Sequence, residues 1–256
     1  MKNEKKPCIV IVMPAYNAAR TVTDTYSEIP KNLREHIILV DDKSKDKTVT
    51  VAQKLGLQTF THPQNLGYGG NQKTCYWEAL KYHPDVVVML HPDYQYDAKK
   101  IPDLIKPILE GKYDFMFGSR MQTKGDALKG GMPPMKYYIN TLVCWVENRV
   151  LGVQFSEHFS GFRAYSAQLL VTVPFQRFSN DFVFDQQMEI AACSYGFRIG
   201  EIPIATRYNE KASSIQFFKG SKFLLDTFFY LLLFKLHTFG IMRSNLFYTK
   251  PSRLSA

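Results

Sequence analysis

An α/β fold, with a mostly parallel central sheet between flanking helices, is predicted for this 256-residue chain by three observations. Up to about residue 120, short apolar runs rich in β-branched residues alternate with helix-length segments, the pattern of right-handed βαβ crossovers. Residues 86–90, Val-Val-Val-Met-Leu, are apolar throughout, as a strand covered on both faces requires. That run passes directly into His91, Pro92, Asp93, Tyr94 and Gln95, and open α/β sheets bind ligands where such strands end.

The elements follow in order. Residues 8–13 form a strand that Pro14 cuts off, and a helix over 18–28 stops before Pro30. Residues 37–40 are the second strand, followed by a helix after Ser44 that ends near Gly56. Residues 57–61 are the third strand, and a Gly-rich turn then opens a helix over 71–82. After the strand at 86–90 come a helix over 101–110 and a short strand at 115–117. Gly125, Gly130, Gly131, Pro133 and Pro134 break the rhythm, so residues 118–134 are expected to be a mobile loop over the sheet's carboxyl edge. A helix over 137–151 follows, and 191–206 holds a strand ending Glu201-Ile202-Pro203-Ile204. Residues 223–239 are dominated by Phe, Leu and Tyr.

Bulk composition narrows the class. With 45% apolar and 14% aromatic residues the chain is globular, and 32 basic against 23 acidic residues give a net charge of +9 that suits an anionic partner. Nucleic acid is not expected, because the basic residues form no stripe interleaved with aromatics. Cys8, Cys75, Cys144 and Cys193 are scattered, with neither zinc-like spacing nor a disulfide framework, which favours a reducing compartment. The apolar run before Pro14 is short for a signal peptide, and no stretch reaches the roughly 18 apolar residues of a membrane span. A cytoplasmic location is expected.

Four motifs carry chemistry. Pro14-Ala15-Tyr16-Asn17 ends the first strand, placing a ring that can stack on a base and an Asn that can cap the next helix. Asp41-Asp42-Lys43-Ser44-Lys45-Asp46-Lys47-Thr48 ends the second. Two carboxylates there call for a polar ligand or cation, with Asp42 favoured for function and Asp46 for capping. Asn65-Leu66-Gly67-Tyr68-Gly69-Gly70-Asn71 allows close backbone approach and opens a helix whose amino end favours anions, without the spacing of a P-loop. His91, Asp93 and Gln95 alternate, so extended backbone would point them the same way, toward one cation or the phosphates it carries. A polar loop capping the strand is the alternative reading of that trio alone.

Taken in this order, these motifs resemble the family-2 glycosyltransferases, which have the GT-A fold and use nucleotide-sugar donors. Ser160-Gly161-Phe162-Arg163 and Glu201-Ile202-Pro203-Ile204 bring the chain closer to the dolichyl-phosphate mannose synthase-like branch. The resemblance implies a GT-A domain over residues 1–218, with a Rossmann-like nucleotide-sugar half at 7–120 and an acceptor half at 121–218. It places Pro14, Tyr16, Asn17, Val40, Asp42, Asn65 and Gly67 at the nucleotide, and His91, Asp93 and Gln95 at a divalent Mn2+ or Mg2+. Arg120, Lys136, Asn140, Ser160, Gly161, Arg163 and Arg207 fall in segments that bind the acceptor or a phosphate.

The catalytic set so implied is Asp93, Arg120 and Asp185. Asp185 lies where enzymes that glycosylate a hydroxyl keep a base, whereas a phosphate acceptor needs none. Two positions depart from the family: His91 replaces the usual Asp, and Ala18 replaces a Glu that often follows Tyr-Asn. Imidazole suits Mn2+ better than Mg2+.

Arg207-Tyr208 and Lys211 to Ser214 are expected to form a closing loop, and Tyr137, Tyr138, Trp145 and Phe159 to pack in the core or an acceptor channel. Residues 219–256 read as an amphipathic helical region. Lys219, Lys222, Lys235 and Arg243 around the apolar run suit an interfacial helix on anionic lipid, and packing on the body or a partner subunit is the alternative. The expected function is inverting transfer of a sugar from a UDP- or GDP-sugar to a polyprenyl phosphate at the cytosolic face of a membrane. Transfer to a sugar hydroxyl in glycan assembly and an idle nucleotide-binding scaffold are the alternatives.

Overall fold

A computed structural model describes residues 6–122, 126–129, 131–207 and 217–248. Seven strands form one sheet: β1 (Ile9–Ala15), β2 (His36–Asp41), β3 (Gln58–Thr61), β4 (Val86–Met89), β5 (Phe115–Ser119), β6 (Arg163–Ser166) and β7 (Ile199–Pro203), in the order β3-β2-β1-β4-β6-β5-β7. Helices α1 (Val22–Glu28), α2 (Thr48–Lys54), α3 (Tyr68–Leu80), α4 (Ile101–Leu109), α5 (Asp126–Lys129), α6 (Pro134–Leu151), α7 (Ala167–Thr172), α8 (Phe184–Ser194) and α9 (Phe217–Thr238) connect and follow them.

Alternation along the strands builds two cores. Ile9, Ile11 and Met13 face α1, α2 and α4, through Val22, Ala52, Leu104 and Ile108 among others. Val10 and Val12 face α3, α7 and α8, through Tyr76, Leu169, Phe184 and Met188. β4 contributes Val86 and Val88 to the first core and Val87 and Met89 to the second, which is why its sequence is apolar at every position.

The sheet is parallel except at β6, which runs antiparallel between β4 and β5. The sequence predicts no strand there. Four residues beginning with an arginine carry no alternation signal, and both partners are remote in sequence. Because β6 wedges between β4 and β5 and β7 pairs with β5, one sheet runs across the boundary expected at residue 120.

Several helices start elsewhere than the sequence suggests, for local reasons. α1 begins at Val22 rather than Ala18 because the Asn17 and Ala18 amides donate to Ser44 Oγ and Thr48 Oγ1, both at 2.8 Å. α2 begins at Thr48 because the chain from Ser44 first folds back on Asp41 and Asn17. Asp46 accepts from the Thr48 amide, and Asn17, expected as a helix cap, instead accepts from the Lys45 amide and so stitches two loops together. α3 begins early, at Tyr68, with two glycines in its first turn.

Those glycines are needed for close approach. A Cβ on Gly69 would lie 2.4 Å from the Ser179 carbonyl oxygen and 2.7 Å from Phe184 Cβ, so α3 can meet the 179–184 segment only without one. Gly69→Ala is expected to destabilise the protein by about 1–3 kcal/mol, the usual cost of overpacking. A urea-denaturation midpoint equal to the wild type's would contradict it.

Residues 118–134 are not one loop: β5 extends to Ser119, and Met121, Ala127 and Met132 gather around α5 with Tyr137 against them. Lys124, Gly125 and Gly130 lie outside the described residues, as do Tyr208 and Lys211 to Ser214. α9 packs on the body through Leu231 and Phe234, which meet Ile190 of α8 and Phe247. Lys222 ties it further to Asp181 at 2.7 Å.

Candidate active site

The carboxyl ends of β1, β2 and β4 converge with the amino end of α3, and four polar segments meet there. Tyr16 presents its ring, 51% exposed, directly after β1. Beside it, the paired aspartates divide their work in a way the sequence did not show. Asp42 is bound by the protein on both oxygens: Oδ1 by His62 Nδ1 at 2.8 Å and the Leu66 amide at 2.7 Å, Oδ2 by the Gly67 amide at 3.0 Å. It folds the 65–67 turn, and Asn65 assists by donating to the Asp42 carbonyl at 3.0 Å. Gly67 needs its positive φ of 85°, and a Cβ there would meet the Asn180 carbonyl at 2.6 Å.

Asp41 accepts from the Ser44 amide at 2.9 Å on Oδ2, while its buried Oδ1 has no partner. The unsatisfied carboxylate oxygen is therefore on Asp41, although the sequence favours its neighbour. Nothing in two adjacent aspartates says which one faces inward. Val40, expected in the nucleoside pocket, is fully buried in the core against α3, and its carbonyl accepts from Asn71 at 3.0 Å. Pro14, its partner in register, is also buried.

Residues 92–94 form a turn rather than extended backbone, so strict alternation does not aim His91, Asp93 and Gln95. Asp93 Oδ1 accepts from the Gln95 amide at 3.1 Å, an Asx turn, and Tyr94 takes a φ of 61°. A non-glycine residue held left-handed needs fixing from outside. Here Tyr94 Oη donates to Glu28 at 3.0 Å, and the Arg207 guanidinium lies 4.3 Å over its ring. Arg207 also grips Glu28 through both terminal nitrogens at 2.9 and 3.0 Å, and its amide donates to the Gln95 carbonyl at 3.0 Å. Arg207, expected at a phosphate, is thus a strap on this turn. Among the described residues, Asp93 Oδ2 has no hydrogen-bond partner.

His91 faces Tyr68, whose hydroxyl is 3.1 Å from Nε2. The same hydroxyl donates to Asp185 Oδ2 at 2.7 Å, and Gln72 donates to Asp185 Oδ1 at 3.0 Å. Burial, reinforced by Asp185, pushes the Tyr68 phenol well above its ordinary pKa, so it stays a donor. Gly161 lets His91 sit there, since a Cβ would lie 2.7 Å from Nε2. Sequence reasoning does not single out Tyr68 and Gln72. Their one signal is a tyrosine set among the glycines that open α3, with Gln72 one turn on.

Two of the basic residues, Arg120 and Arg163, are more internal than expected. Arg120 is buried with Glu157: its amide donates to Glu157 Oε2 at 2.7 Å, and Nε to Oε1 at 2.8 Å. Lys136 is exposed, with its pKa lowered by desolvation and by the Arg120 charge. Asn140 is buried on α6 with Nδ2 unpartnered. Ser160 is buried too, its Oγ accepting from the Phe162 amide at 3.3 Å.

Arg163, expected to bind phosphate, is wholly buried and donates to the carbonyls of Ser160, Asp185 and His158 at 2.7, 2.9 and 2.8 Å. Burial works against its charge, but Asp185, Tyr165 and Glu189 outweigh that and hold it protonated. It positions the Ser160–Gly161 turn and the start of α8. Tyr138 and Trp145, expected inside, are exposed on the outer face of α6, whereas Phe159 packs edge-on against Phe223 of α9.

Residues 10–170 match the sequence profile of glycosyl transferase family 2. An uncharacterized protein of Methanocaldococcus jannaschii is 31% identical, over 80% of this chain and 84% of its own. The UDP-N-acetylglucosamine–dolichyl-phosphate N-acetylglucosaminyltransferase of Methanococcus voltae is 26% identical, over 79% and 86%. Among solved structures, glucosyl-3-phosphoglycerate synthase from Mycobacterium tuberculosis, in complex with Mn2+, UDP and glucosyl-3-phosphoglycerate, superposes with a TM-score of 0.68. It is 17% identical, over 93% of this chain and 82% of that one, a likeness of fold.

Proposed function

This chain belongs to glycosyl transferase family 2, with a GT-A fold, and as a glycosyltransferase of that family we propose that it moves a sugar, with inversion, from a nucleotide diphosphate sugar to a polyprenyl phosphate. UDP stands ahead of GDP as the donor nucleotide, because the Methanococcus voltae relative is named for UDP-N-acetylglucosamine and the Mycobacterium tuberculosis structure holds UDP.

The observation that carries the acceptor assignment is the state of Asp185. A general base must reach the proton it removes. Both oxygens of Asp185 are instead engaged, by Tyr68 and Gln72. That suits an acceptor that is already an anion. In this reading Asp185 holds Tyr68, and through it His91, in place beside the donor. The name of the Methanococcus voltae relative, a dolichyl-phosphate transferase, points the same way.

The donor site uses the strand ends. Tyr16 stacks on the base, and the end of β2, with Asp41 and Asp42, lies beside it. The donors at residues 91–95 fit a divalent ion, because Asp93 keeps Oδ2 unpartnered in a turn that is otherwise fully braced. Asp93 and Gln95, with His91 alongside, would hold it, and the diphosphate oxygens would complete its shell as they do for Mg2+ or Mn2+ at phosphate sites. Such an ion neutralises charge developing on the leaving nucleotide. Lys136, beside the Arg120–Glu157 pair, supplies positive charge for the acceptor phosphate.

Membrane contact at the cytosolic face belongs to the same proposal. No helix among the described residues is long and apolar enough to cross a membrane. The outer faces of α6 and α9 nevertheless expose Met135, Tyr138, Leu142 and Trp145, and Leu225, Phe229 and Leu232. Removing everything after Phe218 would strip Leu231 and Phe234 from the body, so point changes are the cleaner probe. Leu225→Glu with Leu232→Glu is expected to cut flotation with anionic vesicles at least tenfold and to leave the melting temperature unchanged. Undiminished flotation would remove the membrane claim.

The function itself is tested with vesicles containing polyprenyl phosphate and a panel of labelled UDP- and GDP-sugars with Mn2+. A labelled polyprenyl-phosphate sugar is the expected product. Transfer only to glycan hydroxyls would overturn the acceptor assignment, and the absence of turnover with every sugar nucleotide would favour an idle scaffold.

A further inference from the structure

One buried cluster takes no part in the reaction proposed above. Cys144 and Glu147 lie one turn apart on the inner stripe of α6, and His158 comes to them from the segment before β6. Their ligand atoms all lie within 4.8 Å of one another, and all three residues are buried. We infer that Cys144 Sγ, a Glu147 carboxylate oxygen and His158 Nε2 form a three-ligand site for a divalent transition-metal ion, Zn2+ by its donor set, with the fourth position left to water.

One observation besides proximity points to a cation. Glu147 is 1% exposed, yet Oε2 has no hydrogen-bond partner, and a buried carboxylate oxygen left unmatched is costly. The histidine is already oriented. His158 Nδ1 faces the carboxylate of Glu189, which fixes the ring and keeps the proton on that nitrogen. Nε2 then faces Asn148 Oδ1 at 3.1 Å. Asn148 cannot turn its amide around, because Phe155 holds both ends: Nδ2 donates to the Phe155 carbonyl at 2.8 Å and Oδ1 accepts the Phe155 amide at 2.9 Å. Burial works against the His158 charge, but Glu189 outweighs it and raises the pKa to about 9, so Nε2 carries a proton that it donates to Asn148, and a metal would take the place of that proton.

The arrangement of Glu189, His158 and an outward Nε2 is the carboxylate–histidine pairing that orients imidazole on a metal. Thiolate, imidazole and carboxylate together select Zn2+ over Mg2+ or Ca2+, which take oxygen donors. Tetrahedral Zn2+ at ordinary bond lengths needs its ligand atoms about 3.3–3.7 Å apart, so the ligands would close by up to about 1.5 Å on binding. Binding releases the Cys144 thiol proton and the proton on His158 Nε2 to solvent. Scattered cysteines gave no sign of this in the sequence, because only one of the three ligands is a cysteine and the third lies eleven residues beyond Glu147.

The site is tested on the full chain without a polyhistidine tag. Elemental analysis is expected to find stoichiometric zinc. After chelator dialysis, Co2+ should give tetrahedral d–d bands and a thiolate-to-cobalt charge-transfer band. Cys144→Ser should abolish that charge-transfer band, and Glu189→Gln should weaken Co2+ affinity about 10–100-fold. Asp93→Ala should leave the band unchanged, which separates this site from the donor metal. Folded wild-type protein without a thiolate band, or a band that survives Cys144→Ser, would overturn the inference. Should Cys144→Ser not fold, Glu147→Gln decides on the same spectrum: weaker Co2+ binding sustains the site, and unchanged binding removes it.

Discussion

Asp93→Ala is expected to lower kcat for sugar transfer by about 10²–10³-fold, equivalent to about 2.7–4 kcal/mol of transition-state stabilisation. The reason lies in how little else the turn offers. Among the described residues, no three His, Cys, Asp or Glu ligands converge around 91–95, so one carboxylate oxygen carries most of the protein's charge toward a cation there. The amide at Gln95 brings no charge, and imidazole ligates a metal in its neutral form. The fold should be spared, because the turn is braced by Tyr94, Glu28 and Arg207 and loses only the Asx hydrogen bond, worth about 0.5–1.5 kcal/mol. Initial rates across a Mn2+ series, with melting temperature as the control, check it. Turnover within a factor of three of the wild type's would place the cation elsewhere.

The second large effect falls on stability. Arg163→Met is expected to cost about 3–5 kcal/mol, because it removes a buried charge and leaves its partners behind. Three backbone carbonyls lose their donor at once, and Asp185 and Glu189 lose the positive charge that balances them. Replacing a whole buried ion pair with apolar groups can be neutral, but removing one side of it is not. For a domain of this size that loss corresponds to a melting temperature lower by about 6–20 °C. Calorimetry decides, and a shift under about 2 °C would mean that water reaches these carbonyls. Arg163→Lys keeps the charge without the planar fork and should fall between the two.

Much of this was legible in the sequence where the signal is local. β4 could be read from five apolar residues, and the Gly-Tyr-Gly-Gly opening of α3 from its glycines. What could not be read depends on distant chain. β6 has four residues and no periodicity, and is a strand only because β4 and β5 leave a slot for it. Asp41 and Asp42 are chemically equal until His62 and the 65–67 amides claim one of them. Arg163 and Arg207 carried the right charge for phosphate, yet the fold turns one toward carbonyls and the other toward Glu28. A single sequence shows the charge of a side chain but not the partner that uses it. The same limit hid Glu157, Glu189 and His158, whose partners lie 31 to 37 residues away.

The place of β6 also governs when this molecule can come into being. β1 to β4 pair among themselves within the first ninety residues, so that layer can assemble as the chain emerges from the ribosome. β5 emerges next but has no neighbour in the sheet until β6 arrives more than forty residues later, and its outer edge waits longer still for β7. During that interval Phe115 and Phe117 are bare strand edge, the kind of surface on which nascent chains aggregate. Expression at low temperature or with added chaperone should therefore raise the soluble yield, and nonsense fragments ending between residues 120 and 160 should accumulate as insoluble protein.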